Sequence, residues 1–248
     1  MRRSVSIIIP AYNEEKRLPA TLERIRAYLC ANPWEFTEIV VVDDGCRDAT
    51  REIAERAGAR VLSNPGNRGK GYSVRHGILR SRADWALLTD ADLSAPIEEL
   101  EKLWSAAATT GAPVVFASRA LDRRLIGVRQ PALRDFSGRF FNLVMRLVTG
   151  LPFRDTQCGF KLFEARAARE IFARQRLDGF GFDVEVLYIA HLLGCKCLEI
   201  PVRWNDVAGS KVSLWRGLGA FLDLLRVRWN AITRKYDSKA PLQSVEVG

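Results

Sequence analysis

Apolar residues in the first half of the chain switch repeatedly between two periods. The β-branched runs at residues 4–10 (SVSIIIP) and 38–42 (EIVVV) read as strands buried on both faces. Between them, residues 16–29 place Leu18, Leu22, Ile25 and Leu29 on one helical face. The pattern then predicts a helix over 48–57 with Asp48 as its N-cap, a strand over 60–62 and a helix over 70–80 behind a glycine-rich turn. A strand over 85–89, a helix over 97–108 and a strand over 113–117 follow. Strands alternating with helices predict an α/β fold with a mostly parallel sheet flanked by crossover helices. The second half is less regular. It predicts helices over 133–149, 165–172 and 183–193, strands over 158–163 and 196–201, and a long C-terminal amphipathic helix over 214–235.

In open α/β sheets, ligands bind beyond the carboxyl ends of the strands. Four of the expected strands end in chemically suggestive residues: Pro10 to Glu14 (PAYNE), Asp43-Asp44-Gly45, Asp90-Ala91-Asp92 and Ser118-Arg119. All four are expected on one sheet edge. Two carboxylates two residues apart, just past a buried strand, form either half of a hard-cation site or an acidic cap for the next helix. Asp43 and Asp44 either accept hydrogen bonds from a ribose or base, or simply close a turn. The loop Asn67-Arg68-Gly69-Lys70-Gly71 opens a helix, where backbone N–H groups attract anions, although it lacks P-loop spacing. Arg119, Arg134 and Arg129 either clamp a phosphate or are solvated surface charges.

Composition narrows the classes. The chain has 248 residues, 48% hydrophobic and 27% charged, with a net charge of +9. A basic surface of this kind favours an anionic partner: nucleic acid, an anionic membrane or a phosphorylated ligand. No basic run is interleaved with aromatics as in single-strand binders, which argues against nucleic acid. The five cysteines show no Cys-x-x-Cys spacing and are expected as free thiols in a reducing cytosol. No signal peptide is evident at the start, and no apolar stretch reaches the roughly 18 residues that span a bilayer.

Taken together, these segments resemble family-2 inverting glycosyltransferases of GT-A (Rossmann-like) fold, and within them the dolichyl-phosphate β-glucosyltransferases and related polyprenyl-phosphate glycosyltransferases. The matching stretches run in order: PAYNEE (10–15), VVDDGCRDAT (41–50), NRGKGYSVRHG (67–77), TDADLSAP (89–96), SR (118–119), DTQCGFKLF (155–163), GFDVEVL (181–187), EIPVRW (199–204) and GSKV (209–212). The resemblance implies one domain over 1–236: a nucleotide-binding half (1–118), an acceptor and sugar half (119–212) and the C-terminal helix (213–236), followed by a polar tail over 237–248. It implies that Pro10, Tyr12, Glu14, Asp43 and Asp44 cradle the nucleoside of a UDP- or GDP-linked sugar. Lys70, Asp90 and Ala91 meet its diphosphate, and Asp92 with Asp90 holds Mg2+ or Mn2+. Arg119 and Arg134 hold an acceptor phosphate, while Gln157 and Glu185 line a sugar pocket near Asp155 and Asp183. Cys46 stands where the family's Asp-Asp-Gly-Ser motif has serine, and Ser94 where some relatives place a further metal ligand, glutamine. Several relatives carry a transmembrane helix after this domain, and none is seen here.

A hydroxyl acceptor needs a general base, for which Asp155 or Asp183 would serve. A phosphate acceptor is already anionic and needs a cationic clamp, so the arginines favour a polyprenyl phosphate over a glycan hydroxyl. The C-terminal helix carries Trp215, Leu218, Leu222, Leu225, Trp229 and Ile232 on one stripe, with Arg216, Asp223, Arg226 and Asn230 opposite. That stripe belongs either in a membrane interface or against the protein's own core. The same pair of readings applies to residues 140–148. The expected location is peripheral, on the cytoplasmic face of an anionic membrane.

Overall fold

The computed structural model describes residues 3–128, 132–206 and 214–239, with side chains for all of these except 132–139, 214–218 and 220. Arg129 and the GSKV segment lie outside the described residues, as do the side chains of Arg134, Trp215, Arg216 and Leu218. In chain order the elements are β1 (Ser4–Ala11), α1 (Leu18–Ala31), β2 (Phe36–Asp43), α2 (Thr50–Arg56), β3 (Arg60–Ser63), α3 (Lys70–Leu79), β4 (Trp85–Leu88), α4 (Leu100–Thr110) and β5 (Val114–Ser118). There follow α5 (Ala132–Thr149), β6 (Lys161–Glu164), α6 (Ala165–Arg174), α7 (Phe182–Leu192), β7 (Cys197–Pro201) and α8 (Leu214–Ile232).

The strands form a seven-stranded sheet in the order β3-β2-β1-β4-β6-β5-β7. Side chains alternate between its faces. Ile7, Ile9, Val41, Leu87 and Val115 join one core with α1 and α4, while Ile8, Val40, Leu88, Phe116 and Phe163 join the other with α3, α6, α7 and α8. This double burial explains why the strands read as continuous apolar runs. The strand order reverses between β1 and β4, so the carboxyl ends of those two strands flank the switch point at which open sheets bind ligands.

Three local expectations are corrected. The strand expected over 158–163 is Lys161–Glu164, and it runs antiparallel to both neighbours, β4 and β5. The cause is the path of the chain: α5 returns to the carboxyl edge it left, so residues 150–160 cross that edge and β6 enters the sheet from it. Asp48 is not the N-cap of α2; its carboxylate takes the Thr50 backbone N–H at 3.1 Å and hydroxyl at 2.5 Å from one residue earlier. The helix expected from 97 opens with a 3-10 turn, Ile97–Glu99, before α4.

Helix α8 is apolar on two sides. Phe221, Leu224, Val227 and Ala231 pack into the core, whereas Leu222, Leu225, Trp229 and Ile232 of the expected stripe face outward. Asn230, expected on the polar side, is buried. The end of this helix is tied to α7 through Glu185, which is fully buried. Glu185 accepts hydrogen bonds from the Tyr236 hydroxyl (2.8 Å) and the backbone N–H groups of Leu177 (2.8 Å) and Arg176 (3.1 Å). Its expected place in a sugar pocket therefore gives way to a structural role behind the site.

Burial pushes the Glu185 carboxyl up from 4.5 to about 7, against the lowering effect of those hydrogen bonds. The folded protein holds a proton there that the unfolded chain has already released. The contribution is full below the unfolded value and is lost as pH rises through about 7. Raising pH from about 5 to about 8 is expected to lower the melting temperature of the wild type relative to Glu185→Gln, by about 2–4 °C per kcal/mol of proton linkage lost. Parallel melting curves for the two proteins across that range would refute the assignment.

Candidate active site

Four loops converge on the carboxyl edge, and each is fixed by its own sequence. After β1, Asn13 takes a left-handed conformation (φ 55°), which asparagine tolerates, and its Oδ1 accepts the Arg47 N–H at 2.8 Å. Its own N–H meets Cys46 Sγ at 3.2 Å, and Cys46 N–H donates to Asp43 Oδ1 at 2.8 Å. The cysteine sulfur thus serves as the acceptor that holds the Asn13 N–H. Burial pushes its thiol up to about 12, so it stays neutral. Glu14 donates its backbone N–H to Thr50 Oγ1 at 2.7 Å and holds Arg17 with both carboxylate oxygens at 2.6 Å. Pro10 is half-buried near the end of β1, beside Val42, and Tyr12 is exposed.

Asp44 has a different occupation from Asp43. Its Oδ1 accepts the Asn64 side-chain amide and the Arg68 backbone N–H, both at 2.8 Å, and its Oδ2 accepts the Gly69 N–H at 2.9 Å. Asp44 is thereby buried and holds the 64–69 loop in front of α3. Gly69 is required there. Its φ is 102°, and a Cβ would stand 2.5 Å from the Asp178 carbonyl oxygen. The loop delivers Lys70 to Asp90, with Nζ 2.7 Å from Oδ1. Burial alone would lower the Lys70 pKa, but Asp90 and then Asp183 outweigh it and raise it, so the ammonium is firmly charged. The rings of Phe180 and Phe182 flank it at 6.0 Å.

Past β4 the chain turns tightly, with Leu93 N–H donating to Asp90 O at 3.2 Å and Leu93 in the left-handed region at φ 46°. A leucine there is strained, and burial of its side chain in the core offsets the cost. Thr21 on α1 supports the turn by donating to the Ala91 carbonyl at 2.7 Å. Ser94 donates its N–H (3.0 Å) and hydroxyl (2.9 Å) to Asp92 Oδ1. Asp92 Oδ2 stands 3.8 Å from Arg17 Nη1, an ion-pair distance beyond hydrogen-bond reach. The helix-cap alternative fails, because Pro96 occupies the N-cap of the following turn with no side-chain cap. Ser94 acts as an orienter of Asp92. Among the described residues no group of three His, Cys, Asp or Glu could cage a metal ion. The donor set fits Mg2+ or Mn2+ bound by an oriented carboxylate, with the shell completed by substrate phosphates and water.

The second half supplies two ion pairs whose carboxylates are buried. Arg119 grips Asp155 with Nε (2.7 Å), Nη2 (2.8 Å) and its backbone N–H (2.9 Å), while stacking on Trp204 at 5.4 Å. Burial opposes the charge on Asp155, but Arg119 outweighs it and holds the carboxyl below its usual range. Lys161, fully buried on β6, pairs with Asp183 and donates to the Cys158 carbonyl at 2.7 Å. Asp155 and Asp183, the base candidates for a hydroxyl acceptor, are each engaged by a cation of the protein itself. Gln157 lies half-buried between the two pairs in the chain.

Two supports escaped the sequence reading. Asn205 donates its N–H to the Ser94 carbonyl at 2.8 Å and accepts from Val128 at 3.3 Å, clasping the Asp92 turn to the segment that leads toward α5. Gly159, brought to the edge by the antiparallel entry of β6, leaves room for the Asp90 carboxylate; a methyl group there would overlap it. Gly159→Ala is expected to weaken binding of a nucleoside diphosphate with Mg2+ on the order of 10- to 100-fold, the cost of displacing a site group by about 1 Å. Calorimetry would show this, and wild-type affinity in the variant would mean that Asp90 does not need the gap.

The model of Glycosyl transferase family 2 matches residues 6–172. A dolichyl-phosphate beta-glucosyltransferase of Trichomonas vaginalis is 35% identical over 98% of this chain and 77% of its own length. The Homo sapiens dolichyl-phosphate beta-glucosyltransferase is 34% identical over 93% of this chain and 76% of its own. Among solved structures, glucosyl-3-phosphoglycerate synthase from Mycobacterium tuberculosis, in complex with Mn2+, UDP-glucose and phosphoglyceric acid, superposes with a TM-score of 0.68 at 17% identity, covering 99% of this chain and 83% of that one. The structural likeness gives the fold, GT-A, and the sequence likeness gives the lineage. The chain belongs to glycosyltransferase family 2, and it is a glycosyltransferase.

Proposed function

We propose that this enzyme transfers glucose from UDP-glucose to a dolichyl-type polyprenyl phosphate, with inversion to a β-linked product. The similarity to dolichyl-phosphate beta-glucosyltransferases along nearly the whole chain supports the substrate pair. The observation that carries the choice of acceptor is the commitment of the buried carboxylates Asp155 and Asp183 to ion pairs within the protein. A hydroxyl nucleophile needs a base at hydrogen-bond distance, and these two candidates are occupied. A phosphate monoester is anionic at neutral pH and needs none. Arg119 retains Nη1 after binding Asp155 and is 27% exposed, and with Arg134 on α5 it forms the proposed clamp.

The donor is proposed to lie across the switch point, with its nucleoside against Pro10, Tyr12, Glu14 and Asp43. Asp44 serves this subsite through the loop it holds. Lys70 presents fixed positive charge toward the diphosphate, and Asp90 keeps that ammonium in place. Asp92, with Asp90 beside it, would hold Mg2+ or Mn2+, which when bound neutralises charge on the leaving diphosphate. A GT-A structure determined with Mn2+ and UDP-glucose supports this reading. The Asn205 clasp positions the Asp92 turn relative to the acceptor side. Among the described residues no helix is long and apolar enough to cross a membrane. The five cysteines are free, in keeping with the proposed cytoplasmic face.

Asp92→Ala is expected to reduce transfer at least about 10³-fold, the scale of losing one dominant electrostatic stabiliser, while leaving the melting temperature within a few degrees. Wild-type turnover in that variant would end the metal assignment. UDP-glucose with Mn2+ is expected to raise the wild-type melting temperature more than GDP-mannose does. Adding polyprenyl phosphate is expected to accelerate UDP release. Acceleration by a glycan hydroxyl acceptor and none by the lipid phosphate would overturn the acceptor.

A further inference from the structure

Arg17 stands at the N-cap of α1 and faces the Asp92 turn. Its Nε and Nη2 donate to the two carboxylate oxygens of Glu14 at 2.6 Å each, a two-point grip that fixes the plane of the guanidinium. Its remaining nitrogen, Nη1, is thereby aimed at Asp92 Oδ2, 3.8 Å away. The side chains of Arg17 and Asp92 are 22% and 19% exposed, so water screens this pair only in part.

The separation is held from both sides. Arg17 and Leu18 donate their backbone N–H groups to the Glu14 carbonyl at 3.0 and 2.9 Å, closing the turn that enters α1. One turn into the helix, Thr21 donates its hydroxyl to the Ala91 carbonyl at 2.7 Å, next to Asp92. Asp92 is oriented through Oδ1 by Ser94. Its other oxygen, the one turned from Ser94, is the one that Arg17 faces.

Charge then decides what this corner binds. Its ion pairs join three carboxylates, Glu14, Asp90 and Asp92, with two cations, Arg17 and Lys70, which leaves one negative charge. α1 begins beside them with no acid in its first turn, so the positive end of the helix dipole reduces even that charge. A divalent cation alone at Asp92 would outweigh the negative charge present and share Oδ2 with a fixed guanidinium. A nucleoside diphosphate reverses the balance, because its oxygens can meet both the cation and Nη1.

We infer that Arg17 makes divalent-cation binding at Asp92 conditional on the donor's diphosphate. It opposes the cation alone, and it bridges to the phosphates when cation and diphosphate are present together. Glu14 is the positioning residue that holds Arg17 at this distance. The coupling is reciprocal: each ligand tightens the other by the same factor. The inference rests on the reading of Asp92 as the metal site.

The test is binding rather than turnover. The electron paramagnetic resonance signal of free Mn2+ is followed during titration of the full chain, with and without saturating UDP or GDP, and Mn2+ held by the nucleotide in solution is subtracted. Wild-type protein is expected to bind Mn2+ at least about 100-fold more tightly with the nucleotide than without it. Arg17→Gln is expected to bind Mn2+ alone at least about tenfold more tightly than the wild type, and its gain from nucleotide is expected to shrink at least about tenfold. Arg17→Lys keeps the charge and is expected to keep the weak binding of Mn2+ alone. Equal affinity of wild type and Arg17→Gln for Mn2+ alone would overturn the inference. So would tightening in Arg17→Lys as large as in Arg17→Gln, since positive charge would then not be the cause, or an unchanged nucleotide gain in Arg17→Gln. Wild-type protein that binds Mn2+ equally well with and without either nucleotide would overturn it too, and that arm needs no variant to fold. Asp92→Ala separates the inference from the metal reading. If Asp92→Ala loses Mn2+ in the presence of nucleotide while Arg17→Gln behaves as the wild type, the role of Arg17 falls and the metal site stands. If Asp92→Ala keeps wild-type Mn2+ affinity, the metal site itself falls.

Discussion

The ion pair between Lys70 and Asp90 ties the architecture together. Lys70 opens the helix that leads into β4 and Asp90 follows that strand, so the pair joins the two ends of one crossover at the carboxyl edge. A charged pair of this kind on a partly enclosed edge needs its geometry enforced, because desolvation works against both charges. Asp44 fixes the lysine's loop through three N–H donors, and Thr21 and Ser94 fix the aspartate's turn. The empty space at Gly159 completes the arrangement. The chemistry of the site is therefore set largely by residues that need not touch a substrate.

The same logic reassigns the second half. A carboxylate in a family motif invites a catalytic role, yet Asp155 takes three donors from Arg119, and Asp183 faces a lysine that is fully buried on β6. Fully buried lysine on a central strand is costly without a counter-charge. Lys161 can occupy β6 because Asp183 stands opposite it on α7. These pairs anchor the edge onto the sheet.

Much of this was legible in the sequence. Strand identities followed from doubly buried β-branched runs, and the strand-end motifs fell on one edge because parallel strands share a carboxyl end. What escaped had a common cause: it depended on which strand lies next to which. The reversal of β6 carries no local signature, since FKLF reads as a strand in either direction. Gly159 had meaning only once Asp90 lay beside it, and Asn205 only once its neighbours at Ser94 and Val128 were known. Lys161 left a faint trace as a charged residue inside an otherwise apolar strand. The outward apolar side of α8 was visible as a stripe, but periodicity alone could not say which of its two apolar faces met the core.

The placement of β6 also bears on how the protein is made. β5 ends at residue 118, yet its hydrogen-bonded neighbours are β6 and β7, which end at 164 and 201. On a translating ribosome, β1 to β4 emerge able to pair among themselves, whereas β5 waits with both edges bare for some forty residues of chain still to be synthesised, on the order of seconds at usual elongation rates. During that interval Val114 to Ala117, a short apolar strand, is open to pairing with other chains. The gap that receives β6 at the centre of the sheet thus makes the nascent first half an open template, closed only when the antiparallel strand arrives.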